Sequence, residues 1–153
     1  MKNQSYHRFA RWRITAGLAA CLLLSAPLAA KPLKVFILAG QSNMTGMVES
    51  RTLEHVKMFP ETARHFEAVF NEDGAPVVLD EVRVSCWPKG GDEAVGPLAP
   101  RFGGSDTSFG PEYGFGIYLH QALQEPILLI KTAKGGQNLY YDFRPPSAGK
   151  WTP

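Results

Sequence analysis

Ser42 stands where a nucleophile can work. The run Val35-Phe36-Ile37-Leu38-Ala39 is apolar and largely β-branched or aromatic, and it stops at Gly40 before the polar triplet Gln41-Ser42-Asn43. Such a run reads as a strand from the middle of a parallel sheet that ends in a tight turn. Ligands of open α/β sheets bind beyond the carboxyl ends of the strands, so a hydroxyl placed there faces a crevice from a rigid support. Gly40 lets the backbone turn, Gln41 and Asn43 supply amides that can bind substrate or brace the turn, and Met44 can return to the core. The same serine could instead cap a helix beginning at Asn43, and one Ser after a strand does not separate the two roles.

Two other stretches carry chemistry. In Phe109-Gly110-Pro111-Glu112 a helix opens, with proline at its first position and glutamate in its first turn. Gly110 therefore lies at a helix start, where free N–H groups point outward and favour an anion. Farther on, Pro126 to Thr132 reads as a strand apolar on both faces, and it runs into Ala133-Lys134-Gly135-Gly136-Gln137-Asn138-Leu139. A glycine-rich turn after a strand can cradle a phosphate, but neither Gly-x-x-x-x-Gly-Lys-Ser/Thr nor Gly-x-Gly-x-x-Gly occurs.

These blocks carry a resemblance. Ala39-Gly40-Gln41-Ser42-Asn43-Met44 resembles the first signature block of the SGNH hydrolase superfamily, in the carbohydrate-esterase branch related to sialate O-acetylesterase. There Gly-Gln-Ser-Asn replaces the usual Gly-Asp-Ser. Gly110-Pro111-Glu112, followed by Phe-Gly and Leu, is similar to the second block, and Lys131 to Leu139 is similar to a later Lys-x-Ala-x-Gly-Gly-x-x-Leu segment.

The resemblance implies a flavodoxin-like, three-layer α/β/α fold with a parallel sheet. It also implies that Ser42 is the nucleophile, that the backbone N–H groups of Ser42 and Gly110 hold the oxyanion, and that Gln41, Asn43, Gly135 and Gly136 meet the substrate. That substrate would be an O-acetylated carbohydrate, sialic acid or a polysaccharide, and no metal or cofactor is called for.

One part of the machinery is missing from the sequence. The family draws its general base from a late Asp-x-x-His block, whereas the residues three before His55, His65 and His120 are Thr52, Thr62 and Ile117. The family's Gln-Gly-Glu-like segment is absent as well. Residues 31–153 are therefore expected to be the N-terminal part of such a domain, incomplete, marginally stable and inactive alone. Two rivals stay open: a carbohydrate-binding module without chemistry, and a flavodoxin-like binder of phosphate or nucleotide that uses Ser42 and the Gly135-Gly136 turn.

The remaining elements must position these groups. The chain has 153 residues, enough for one modest domain. Residues 1–30 read as a secretory signal, with a basic start, an apolar core and Ser25-Ala26-Pro27-Leu28-Ala29-Ala30 before the cut, so a secreted or periplasmic protein is expected. The apolar run is too short to span a membrane, so no stable insertion is expected after cleavage. Leu18-Ala19-Ala20-Cys21 offers lipidation as a second route. The formal charge is +2, but Lys2, Arg8, Arg11 and Arg13 leave with the leader, and the resulting −2 holds no basic patch for nucleic acid.

Cys86 is then the only cysteine, which excludes an internal disulfide, and it lies in the strand-like Val82 to Trp87 as a buried structural thiol. Met47 to Arg51 reads as loop and Thr62 to Phe70 as a short or irregular helix, with His55 and His65 at the surface and His120 structural. The Gly- and Pro-rich stretch from Trp87 to Phe109 is expected to form a long loop over the crevice. Trp87 would then be either a sugar-stacking surface or core.

Overall fold

Seven residues, Ile127–Ala133 (β6), form one of the two inner strands of the sheet. On one side they pair in parallel with Lys34–Gly40 (β1), Lys34 against Ile127 and Gly40 against Ala133. On the other side they pair in parallel with Leu79–Lys89 (β3), Val82 against Ile127 and Trp87 against Thr132. A fourth strand, Asp92–Leu98 (β4), adds antiparallel to β3, so the order is β1-β6-β3-β4. This computed structural model describes residues 31–149 except 90, 139 and 141. The leader at 1–30, with Cys21, lies outside the described residues, as does Trp151.

The α/β class and the mostly parallel sheet are as expected, with three local corrections. The strand before Ser42 lies at the edge rather than the middle, and Val35 and Ile37 are 51% and 70% exposed. The apolar run is real, but β6 is apolar on both sides as well and takes the inner place. Second, the stretch after Trp87 is largely a hairpin. Glu93-Ala94-Val95 alternates, Gly91 takes the positive φ (104°) of a tight turn, and Pro97 is tolerated because β4 is outermost. Third, Met47 to Arg51 is not all loop: Val48–Glu49 (β2) pairs antiparallel with Ser108–Phe109 (β5), and a 3-10 helix spans Ser50–Met58.

Helices lie against one face of the sheet. The long one, Pro111–Leu123 (α4), begins at Gly110 with Pro111 in its first turn and ends at Gln124 in the left-handed region. Ile117 and Tyr113 from this helix pack with Val82, Val84, Leu98, Ile127 and Leu129 in the core. Phe36 meets Phe115 edge-on at 5.9 Å. The expected helix over 62–70 is two single turns, Pro60–Ala63 (α2) and Phe66–Val69 (α3), the second touching α4. The opposite sheet face carries exposed Val35, Ile37, Trp87 and Val95, and no described helix covers it.

Tyr113 locks α4 to the segment before β3. Its ring is 1% exposed, and its hydroxyl donates towards Val77 O at 2.9 Å, with Val69 O also near at 3.3 Å. Burial pushes the phenol up from 10.0 to about 12. The folded value lies above the unfolded one, so this stabilisation is complete below pH 10 and fades as the pH rises towards 12. Tyr113→Phe is therefore expected to lower stability at neutral pH by about 1 kcal/mol and to flatten the alkaline loss of stability. Urea melts from pH 8 upward check both effects.

Candidate active site

Past the end of β1 the chain turns at Gln41 and forms one helical turn, Ser42–Thr45 (α1). A four-residue helix has no stability of its own, so the surroundings must hold it. Gly40 allows the first contact: a Cβ there would stand 2.7 Å from Met44 Cβ, so α1 folds back over a position only glycine can fill. Ser42 is exposed, and its Oγ donates to Gln41 Oε1 at 3.2 Å.

The second contact is backbone on backbone. Gly46 follows α1 with φ of 77°, and a Cβ on it would lie 2.1 Å from Gly110 Cα. The Ser42 turn and the start of α4 thus touch directly. Gly104 N–H donates to Gly46 O at 2.8 Å, which adds the loop before β5 to the same junction.

Beneath this junction lies an ion pair that composition and motif reading did not reveal. Lys131 is 1% exposed and Glu112 0%. Lys131 Nζ donates to Glu112 Oε2 at 2.6 Å, to Thr45 O at 2.8 Å and to Phe102 O at 2.7 Å. The other carboxylate oxygen, Glu112 Oε1, accepts the Gly110 N–H at 2.9 Å. This corrects the expectation for Gly110: its N–H points inward to a carboxylate and is already engaged. The one signal in the sequence was a lysine in register with Ile127 and Leu129 on the buried face of an apolar strand.

Two openings lie at the Gln41-Ser42-Asn43 turn, one of them lined by the serine. A groove of about 630 Å³ is lined by Ser42 and Asn43 together with Met47, Phe109, Gly110 and Gly114, among others. A second cleft, of about 450 Å³, is lined by Ala39, Gly40, Gln41, Gln137, Asn138 and Phe143. Ser42, Gln41, Asn43 and Gly110 are therefore brought together. Gly135 joins them, since a Cβ on it would come within 3.9 Å of Ser42 Cβ. Gly136 has φ of 73° and nothing within 4 Å of its Cβ position, so it shapes the turn rather than the wall. Gln137, Asn138 and Phe143 are lining residues that sequence reading did not single out.

Other expectations fall elsewhere. Trp87 is 57% exposed on β3 and lines neither opening, so it is not core. From its stretch only Phe109 reaches the groove, while Gly103 and Gly104 support Gly46 from behind. Cys86 is buried, and its thiol donates to Phe102 O at 3.7 Å. Among the described residues, no histidine lines either opening. His65 is bonded to Tyr118 and Arg64, and His120 Nε2 lies 3.1 Å from Glu81 Oε2.

Two variants test this construction. Gly46→Ala forces the Ser42 turn and the start of α4 apart and is expected to cost about 2–3 kcal/mol or to prevent folding. Lys131→Met alone leaves the Glu112 carboxylate buried without its cation and should cost about 3–5 kcal/mol. Both are read from urea midpoints.

A comparison with known families matches residues 32–150 to a carbohydrate esterase family, the sialic acid-specific acetylesterases. No curated protein and no solved structure matches the chain.

Proposed function

This chain belongs to the carbohydrate esterase family of sialic acid-specific acetylesterases, and from that premise we propose that Ser42 is the nucleophile for removing O-acetyl groups from carbohydrate. The observation that carries the reading is the presentation of Ser42: exposed on a one-turn helix at a strand end, lining one groove, beside a second cleft that Gln41 lines, and with Gly135 against it. Ser42 Oγ would attack the acetyl carbonyl and pass its proton to a base. The bond from the acyl carbon to the sugar oxygen would break as that oxygen takes the proton and leaves, and water would then release acetate from the serine. The Ser42 N–H, at the start of α1, would take the developing oxyanion. Gly110 contributes the close approach of the groove floor, because its own N–H is given to Glu112. The side-chain amides of Gln41, Asn43, Gln137 and Asn138 are suited to sugar hydroxyls, and the Phe143 ring to a sugar face. The leader-like residues 1–30 support export.

The chain contains no Asp-x-x-His, and His65 and His120 are engaged with Tyr118 and Glu81. The absence of that block favours a second reading, in which the clefts hold acetylated carbohydrate without cleaving it.

Added imidazole can stand in for a missing histidine. With a fluorophosphonate probe, Ser42 Oγ displaces fluoride from phosphorus while imidazole takes the proton. Mass spectrometry is expected to find the adduct on Ser42, forming at least tenfold faster with imidazole and absent in Ser42→Ala. Retention on acetylated polysaccharide, with neither adduct nor acetate release in imidazole, would instead establish the binding reading.

A further inference from the structure

We propose that Lys131 is a positioning residue for Ser42, acting through the carbonyl of Thr45. The proposal rests on the reading of Ser42 as nucleophile, but it concerns a group that touches neither substrate nor the serine itself. Lys131 carries three ammonium protons, and each has an acceptor from a different segment: Thr45 O at the end of α1, Phe102 O in the loop before β5, and Glu112 Oε2 in the first turn of α4. No other side chain could serve all three from this strand. Methionine is one atom shorter and donates nothing, and the planar guanidinium of arginine would not point its donors at three converging oxygens.

The geometry gives the ammonium a particular task. Ser42 and Thr45 are the first and last residues of a single helical turn, so fixing the Thr45 carbonyl fixes the orientation of that turn and hence of the serine. The turn is closed by Thr45 N–H to Gln41 O at 2.8 Å and Gly46 N–H to Ser42 O at 3.0 Å. A cation at the C-terminal end of a helical turn also favours the exposed carbonyl dipoles there. Strand β6 supports the helical turn through Lys131, and the turn that follows the strand approaches the serine through Gly135, four residues later. Glu112 completes the device by neutralising the ammonium and drawing in the Gly110 N–H, which holds the opposite groove wall at a set distance.

The test must separate positioning from stability. The double variant Lys131→Met with Glu112→Gln removes both charges together, so no ion is left unpaired, and the glutamine oxygen can still accept the Gly110 N–H. In the full chain this variant is expected to remain folded by circular dichroism. Fluorophosphonate labelling of Ser42 in imidazole should fall at least tenfold. Hydrogen exchange at the Thr45 and Gly46 amides should quicken at least tenfold while the amides of Val84 and Leu129 in the sheet stay protected. Unchanged exchange at Thr45 and Gly46 would overturn the proposal, as would unchanged labelling in a folded double variant. If the wild-type chain takes no label at all, it is the nucleophile reading that fails, and the exchange data still decide whether Lys131 holds the turn.

Discussion

The burial of one ammonium group constrains everything around Ser42. Taking a lysine out of water costs several kcal/mol, and the cost is offset only when its protons meet well-placed acceptors and its charge meets an opposite one. Lys131 meets both conditions with a carboxylate and two carbonyls, at distances of 2.6 to 2.8 Å. These acceptors come from parts of the chain with little other reason to converge: a single helical turn, a loop and the start of a long helix. Each must hold its place or the ammonium is left unsatisfied. The requirement reaches back into the sequence, because the backbones can converge this closely only where Gly46 and Gly110 lack side chains. The polar centre and the glycines are therefore one solution to a packing problem.

What the sequence disclosed was whatever is encoded locally. The apolar run into Gly40, the proline and glutamate that open α4 and the two-sided apolar strand at β6 each combine neighbouring residues into a pattern with one physical reading, and all three elements formed. What it withheld depended on partners far along the chain. Whether Val35 to Ala39 lies inside or at the edge of the sheet is decided by β6, not by β1. Glycines and prolines made the stretch after Trp87 read as loop, although Glu93 to Val95 alternates, because an outer strand tolerates a proline that an inner one would not. Glu112 looked like an ordinary first-turn acid, and only the fold shows that it faces inward to Lys131 and takes the Gly110 N–H.

The site itself was legible in part for the same reason. Ser42, Gln41 and Asn43 lie within one turn, so their proximity follows from sequence. Gln137, Asn138 and Phe143 reach the same region from beyond β6, and their placement beside Gln41 is a product of strand pairing. The result is a hydroxyl supported among uncharged amides, the arrangement on which the proposed carbohydrate reading rests. Orientation and proton transfer are different contributions to catalysis, and the described residues are built for the first.

The pairing pattern also dictates when this protein can fold. β1 and β3 never pair with each other; both depend on β6, with Lys34 and Val82 opposite the same Ile127. On a ribosome adding roughly 5–20 residues per second, β1 therefore waits on the order of ten seconds for its partner strand to be made. In that interval the β3–β4 hairpin can close, but Val35 to Ala39 remains an apolar strand with both edges open. Until residues up to Ala133 are delivered, the sheet that joins β1 to β3 cannot form.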